Sequence, residues 1–519
     1  MKVVIPMSGM SRRFMDAGYT IPKYLLEIDG KTVIEHIIDL YPKDTEFVCI
    51  LNRKHHDETD VAGLLLHKLP EGSSIKVIDP HKLGPVHSVL QALSDIDDEE
   101  QVIVNYCDFS MNWDYDDFVS HVTDTDCDGS VISYTGFHPH MLGSDNYAFC
   151  RLREGSFQIE EIREKQPFTD NKMSEYASTG TYYFKKGKYI KYYFQKLIDN
   201  DININGEYYV SLVYNLMIED GLYNTVYEVP NMLQWGTPLD VRIYQQWSDY
   251  YKKAIEGQKE IELENCILAL PMAGAGSRFS KDGYTKPKPF LRVNGKYMYE
   301  QAVRCLPKTD KVMYACLIDH PTPRSGDVLW IDGVLEGQAL STHRIVEKCG
   351  DKSILVSACD NGVFYDADKF LELVNDESND IIVWTYRNNY TSHLQPNAYS
   401  WVNCDSDDIV TRVDVKDFKG ENPVNEYAIT GTMFFRNRKV YDRSLIRLFE
   451  KNDKVNGEYY IDSLLNAAID LGYTVKNFEI DNYICWGTPN DLKTYQYWQK
   501  FFNKVSWHPY EYSQDYFTN

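Results

Sequence analysis

The chain has 519 residues, too many for one hydrophobic core, and suits two domains of about 250 residues each. Its 43% hydrophobic content is ordinary for a soluble globular protein, while a formal net charge of -23 leaves no basic face for nucleic acid or an anionic membrane. No run approaches the roughly 20 apolar residues of a membrane span, and eleven scattered cysteines without a C-x-x-C pair fit free thiols in a reducing cytoplasm. The expectation is a soluble, cytoplasmic protein, with homo-oligomerisation left open.

Along the chain, 3–6, 46–51, 75–78 and 102–106 are short apolar runs rich in β-branched residues, and 33–40 and 86–93 are helical patterns between them. Strands that alternate with helices imply right-handed crossovers and a mainly parallel sheet. Ligands then belong at the carboxyl ends of the strands. Asp114, Asp116 and Asp117 read as the opening of a helix, whose N-terminus favours carboxylates. His138-Pro-His140 has no Cys or carboxylate partner at metal-binding spacing and reads as a loop.

The chain then repeats itself. Pro6, Met7, Gly9, Arg13, Phe14, Gly18, Tyr19, Thr20, Pro22 and Lys23 recur in order as Pro271, Met272, Gly274, Arg278, Phe279, Gly283, Tyr284, Thr285, Pro287 and Lys288. Cys107-Asp108, Thr179-Gly180-Thr181, Asn-Gly-Glu-Tyr-Tyr at 205–209 and Trp-Gly-Thr-Pro at 235–238 return at 359–360, 430–432, 456–460 and 486–489. The offset between copies is 265 at Gly9/Gly274 and 253 at Gly84/Gly337, so the second copy is a dozen residues shorter between them. The domains are placed at 1–255 and 262–519, joined through the charged segment 252–265, a linker or the end of a helix.

In the second copy the loop after the first strand is Gly274-Ala275-Gly276-Ser277-Arg278. Glycines there let backbone N–H groups approach an anion, and the arginine offers a bidentate phosphate contact. A structural tight turn is the alternative reading of the glycines. The spacing fits neither a Walker A loop nor a complete G-x-G-x-x-G. Pro287-Lys288, ten residues after the arginine, adds a point charge suited to a phosphate. Asp108 and Asp360 each end an apolar strand, where a lone carboxylate suits a hard cation or caps the next turn.

Gly-x-Gly-x-Arg-Phe followed by Pro-Lys resembles the signature of the sugar-phosphate nucleotidyltransferases of the MobA-like superfamily, which include capsule-biosynthesis cytidylyl- and thymidylyltransferases. The resemblance runs through both halves. It implies an α/β architecture of two tandem Rossmann-like nucleotidyltransferase domains, each a mainly parallel mixed sheet flanked by helices. It also implies that Gly9, Ser11, Gly274 and Gly276 cradle a nucleoside triphosphate. Arg13, Lys23, Arg278 and Lys288 would contact its phosphates, with Asp108 and Asp360 on Mg²⁺. Gly84 and Gly337 match the family's helix start beside the nucleobase, or a plain helix N-terminus. Glu164-Lys165 matches the pair that binds acceptor hydroxyls and the acceptor phosphate, although neighbours on a strand point to opposite faces. The aligned pair in the second copy is Val415-Lys416, so Lys416 survives and the acid does not. Gly180 and Gly431 match the strand beneath the acceptor.

The sequence departs from the family where many members place a second metal-binding Asp: Gln234 and Cys485 stand there, and the nearby Asp240 and Asp491 are not assigned to metal. The implied reaction is attack by an acceptor phosphate oxygen on the α-phosphorus of a triphosphate, a pyrimidine such as CTP by resemblance, releasing pyrophosphate for surface-polysaccharide precursors. Such chemistry requires in-line positioning and charge neutralisation. Ser11 stands where the second copy has Gly276, and serine's tolerance of loop conformations makes it a variant of the loop. The expected division of labour is a first copy active on a hydroxylated acceptor and a second acting on another acceptor or regulating. The alternatives are a catalytically silent tandem and a glycosyltransferase of related fold, the latter disfavoured by the absence of D-x-D.

Overall fold

The computed structural model describes residues 1–518. The chain forms two compact units, Met1–Gln245 with Lys504–His508, and Gln246–Asn503 with Pro509–Asn519. The division falls within the helix Pro238–Glu256, and the 252–265 segment comprises the end of that helix, a short connection and the start of the strand Glu262–Pro271. Lys504–His508 pack with the first unit because Trp507 lies edge-on to His36 and its indole donates to Tyr244 Oη at 3.1 Å.

In the first unit the sheet runs Ile159–Glu164, Ala148–Leu152, Tyr176–Phe184, Val102–Asn105, Lys2–Met7, Phe47–Asn52, Ser74–Ile78. Lys2–Met7 is parallel to both its neighbours, and Phe47–Asn52 is parallel to Ser74–Ile78. Tyr176–Phe184 is antiparallel to Val102–Asn105 and also pairs with Gly129–Tyr134, which is parallel to Asn224–Glu228. The second unit repeats the order: Asp327–Ile331, Lys308–Leu317, Glu262–Pro271, Ser353–Val356, Tyr427–Phe435, Ile381–Tyr386, Val475–Glu479. Each is a mixed sheet, parallel through its nucleotide half, with helices against it. These are two tandem Rossmann-like nucleotidyltransferase folds.

The apolar runs are continuous because the parallel strands are covered on both faces. Val4, Val48, Ile50, Val102 and Val104 pack against Val86 and Val89, Phe194 and Leu197, and Val213 and Met217, all at most 2% exposed. Each such side chain contributes about 1.5–3 kcal/mol on leaving water. The connection from Asn52 to Ser74 holds two helices, Arg53–Glu58 and Val61–Lys68, where the second unit goes directly from Leu317 to Asp327. That is the dozen-residue difference. Asp114 accepts from the N–H groups of Asp116 and Asp117 and caps Tyr115–Thr125. His138 and His140 belong to a buried loop in which His140 Nε2 meets Tyr134 Oη at 3.0 Å. Among the described residues no cluster of three or more metal-ligating side chains occurs, and no helix is long and apolar enough to cross a membrane. All eleven cysteines are free.

The extra helix of the first unit is tied in by one carboxylate. Glu35 accepts from the Thr32 N–H at 2.8 Å and the Thr32 hydroxyl at 2.9 Å, closing a capping box, and pairs with Lys68 at 2.8 Å. Burial opposes its ionisation, but Lys68 and Thr32 outweigh burial and bring its pKa down from the ordinary 4.5 to about 2. The folded-state pKa is the lower one, so this stabilisation is complete above pH 4.5 and is lost as pH falls towards 2. Glu35→Gln is expected to cost about 1–2 kcal/mol at pH 7, after allowance for solvent around Lys68, and the deficit to shrink below pH 4. Urea unfolding at pH 7 and pH 3 measures it, and a deficit independent of pH would contradict the assignment.

Candidate active site

The first loop leaves the strand Lys2–Met7 and enters the short helix Arg12–Asp16; its counterpart leaves Glu262–Pro271 and enters Ser277–Lys281. A Cβ added at Gly9 or Gly274 would meet nothing within 4 Å, so no protein atom demands glycine there, and the open side is where an anion can approach. The residue before each helix is left-handed, φ 50° at Ser11 and 58° at Gly276. Serine is therefore a strained substitute in the first loop, which corrects its reading as freely tolerated; the left-handed conformation costs an L residue roughly 1–2 kcal/mol. The strain has a purpose, because Ser11 Oγ accepts the Lys23 backbone N–H at 3.1 Å and ties the loop to the Pro-Lys segment. Arg13 and Arg278 are exposed and make no ion pair with the described residues.

Lys23 and Asp108 are 85 positions apart and meet at 2.5 Å; Lys288 and Asp360 meet at 2.7 Å. Burial works against the charge of Lys23, but Asp108 outweighs it and raises the lysine pKa. Burial likewise opposes ionisation of Asp360, and Lys288 holds its pKa below the ordinary value. The Trp-Gly-Thr-Pro segment closes on these aspartates. Trp235 N–H donates to the Asp108 carbonyl at 2.9 Å and Trp486 to that of Asp360 at 2.7 Å. Gly236 and Gly487 allow the approach, since a Cβ on them would lie 3.2 Å and 3.0 Å from the carboxylate oxygens. Asp240 and Asp491 take the Thr237 and Thr488 hydroxyls at the starts of the helices Pro238–Glu256 and Pro489–Phe502, as caps.

Glu164 ends its strand and Lys165 follows in the left-handed region at φ 58°, as does Lys416 at 53°. This break in the alternation turns both charges of the Glu-Lys pair inward. Lys165 Nζ donates to Tyr209 Oη at 2.6 Å and lies 4.4 Å from that ring's centre, while Glu164 accepts from Ser211 Oγ at 2.6 Å. Burial raises the pKa of Glu164, partly offset by Ser211 and Lys165. Arg13 acts electrostatically on both Lys23 and Tyr209, so the phosphate loop and the acceptor pair face one space. In the second unit Lys416 faces the Tyr460 ring at 5.5 Å and donates to the Ala398 carbonyl at 2.7 Å.

Gly84 and Gly337 start helices at φ 84° and 114°, and a Cβ there would come within 2.8 Å of Tyr208 and 2.4 Å of Tyr459 backbone atoms. They let the Asn-Gly-Glu-Tyr-Tyr segment dock: Tyr208 N–H donates to Leu83, and Val86 N–H to Tyr208. Gly180 and Gly431 sit at φ 87° and 89° where their strands bulge, with Phe109 and Ala358 side chains beneath them.

Residues 3–165 match the family described as the MobA-like NTP transferase domain. The first repeat carries that domain. No curated protein matches the sequence. Among solved structures, the nucleoside-diphosphate-sugar pyrophosphorylase from Vibrio cholerae RC9 is 25% identical, over 47% of this chain and 98% of its own, at a TM-score of 0.40. The inositol-1-phosphate CTP transferase from T. maritima is 17% identical over 48% and 99%, at 0.36. A UDP-glucose pyrophosphorylase from Acinetobacter is 17% identical over 49% and 93%, at 0.37.

The NTP transferase domain begins at the phosphate-loop strand and closes on Lys165, so Tyr209 and Ser211 lie outside it. The sequence reading gave them no role. Tyr209 was visible in the repeated Asn-Gly-Glu-Tyr-Tyr, whereas Ser211 stands where the copies differ. A further group unmarked by motif lies beside the phosphate loop: Ser8 Oγ and Ser88 Oγ are 2.6 Å apart, His81 Nε2 is 3.0 Å from Ser88, and the His81 and His87 rings touch edge-on. The corresponding residues of the second unit are Ala273, Ser341, Val334 and Leu340, so its pocket is more apolar.

Ser11 gives a direct test of the NTP transferase loop. Ser11→Ala keeps the left-handed strain and loses the Lys23 hydrogen bond, whereas Ser11→Gly loses the bond and relieves the strain. Ser11→Gly should remain within about 1 kcal/mol of wild type, and Ser11→Ala should be about 1–2 kcal/mol less stable than Ser11→Gly. Equal stabilities in guanidinium unfolding would refute the left-handed role.

Proposed function

We propose that the chain is a nucleotidyltransferase that moves a nucleoside monophosphate from a triphosphate to a phosphorylated, hydroxyl-bearing acceptor such as a sugar phosphate, releasing pyrophosphate. The reading rests on one observation above others: the open glycine loop, the Pro-Lys lysine and the strand-end aspartate converge in both repeats, as Lys23–Asp108 and Lys288–Asp360. The MobA-like NTP transferase match over 3–165 supports it. CTP is our first candidate triphosphate, and cytoplasmic supply of surface-glycan precursors is the proposed setting.

In this reading Arg13 and the loop N–H groups hold the triphosphate, and Lys165 brings the acceptor phosphate to it. An acceptor phosphate oxygen bonds to the α-phosphorus as the bond from that phosphorus to the bridging β-phosphate oxygen breaks. Pyrophosphate leaves with the electron pair, and no proton need move because the acceptor is already an anion near neutral pH. Glu164 accepts from an acceptor hydroxyl in place of Ser211, which fixes the direction of approach.

The donor set of the first domain suits Mg²⁺. Asp108 offers a carboxylate, and Gln234 Oε1 is buried without a hydrogen-bond partner among the described residues, two hard oxygen donors on either side of Gly236. Asp108 and Gln234 would hold the ion, which would supply positive charge to the phosphates. Lys23, released from Asp108, would then be free for a phosphate oxygen. In the second domain the Gln234 position is Cys485, whose sulfur suits a hard cation poorly. That difference favours the first domain as the main catalyst and a second domain with another acceptor or a regulatory task.

Pyrophosphate release from each triphosphate with Mg²⁺ and a panel of phosphate esters, including glucose 1-phosphate and inositol 1-phosphate, tests the proposal. Arg13→Ala should lower kcat/KM about 100-fold or more. Equal loss of one activity in Arg13→Ala and Arg278→Ala would refute the division of labour, and no pyrophosphate release from any triphosphate would refute the function.

A further inference from the structure

The second domain has lost the acid at the position of Glu164, yet a carboxylate stands nearby on a different element. In the first domain Glu164, on the strand, accepts from Ser211 Oγ, on the first turn of the helix Val210–Glu219, at 2.6 Å. In the second, Asp462 on the first turn of the helix Ile461–Asp470 accepts from Ser400 Oγ, at the start of the adjoining strand, at 2.5 Å. Asp462 takes the sequence position of Ser211, as Tyr460 takes that of Tyr209. Ser400 lies across from Val415 when the register Trp401↔Asp414 is continued, as Ala148 lies across from Glu164. The hydroxyl–carboxylate pair has changed elements, with the acid moved from strand to helix.

The surroundings are matched as well. Tyr209 feels Glu207, Glu164 and Arg13; Tyr460 feels Glu458, Asp462 and Arg278. Lys165 lies over the first tyrosine and Lys416 over the second. Asp462 is therefore the carboxylate that faces the same Tyr-Lys-Arg set in the second domain. We propose that Asp462 is the acceptor-binding carboxylate of the second domain, accepting from a hydroxyl of a phosphorylated, hydroxylated small molecule whose phosphate lies on Lys416 and Arg278. The second site is built to another shape, because the shorter acid comes from the helix. In addition, Ala358 stands where Tyr106 takes the Val210 N–H at 3.2 Å in the first. A different acceptor follows for the two domains, whether the second turns it over or only senses it. This assignment rests on the proposed nucleotidyltransferase reading.

The test uses the full chain in a Lys165→Ala background, which silences the first acceptor site, with glucose 1-phosphate, inositol 1-phosphate and glycerol 3-phosphate as calorimetric probes. At least one should bind, and Asp462→Asn, which keeps the Ser400 contact and the shape, should weaken it about 10- to 100-fold while CTP binding is unchanged. Asp462→Ser should do the same, and adding Val415→Glu to it, which rebuilds the Glu-Ser pair of the first domain, should restore binding. Unaltered binding in Asp462→Asn, or failure of Val415→Glu to restore it, would assign Asp462 to the helix start alone and overturn the proposal, as would no probe binding at all. Wild-type pyrophosphate release measured in parallel separates the two readings. Its absence sinks the nucleotidyltransferase function itself, whereas its presence with indifferent Asp462 variants sinks only this assignment.

Discussion

An ammonium held against a carboxylate at the mouth of a parallel sheet organises both halves of this protein. Lys23 and Asp108 approach to 2.5 Å from two different crossovers, and around that pair the other parts are fitted. The Ser11 hydroxyl fixes the backbone of Lys23, and Gly236 makes room beside the carboxylate. Two opposite charges so placed are an economical resting state for a site meant to receive polyphosphate, because each neutralises the other until a more highly charged ligand arrives. Removal of one partner would leave the other partly buried and uncompensated, which is the costly condition.

Around this pair, the glycines divide by what demands them. Gly84, Gly180, Gly236 and their counterparts are required by the protein's own backbone or side chains, through left-handed torsions or close approach. Gly9 and Gly274 are not, since open space lies beyond them. A glycine with no internal reason is the more telling one for a ligand. The strained non-glycine residues are informative in the same way. Ser11, Lys165 and Lys416 all sit at positive φ, and each carries a group directed at the site.

The two domains keep this frame and diverge at its rim. The polar group Ser8, Ser88, His81 and His87 becomes largely apolar in the second domain, Gln234 becomes Cys485, and the carboxylate of Glu164 is exchanged for that of Asp462. These changes leave the sheet and its phosphate loop intact because they fall on loop ends and helix starts, where side chains can be replaced without repacking the core.

The duplication, the alternation of strands and helices, the phosphate loop with its Pro-Lys partner and the strand-end aspartates were all legible in the sequence. They depend on local periodicity and on short motifs of fixed spacing. What the sequence left undecided depends on torsion angles and on contacts between distant segments. Whether Ser11 was a neutral variant turned on its left-handed φ. Whether Glu164 and Lys165 could both serve the site turned on the break in strand alternation at Lys165. A carboxylate that leaves a strand and reappears on a helix 47 residues further along, Asp462 for a Glu at 415, cannot be recognised by aligning the copies. It becomes visible only when the antiparallel register places Ser400 beside the helix and brings both to one tyrosine. Composition and spacing determined what kinds of groups this protein possesses; the folded chain alone decided which of them face one another, because hydrogen bonds and charges act over ångströms and not along the sequence.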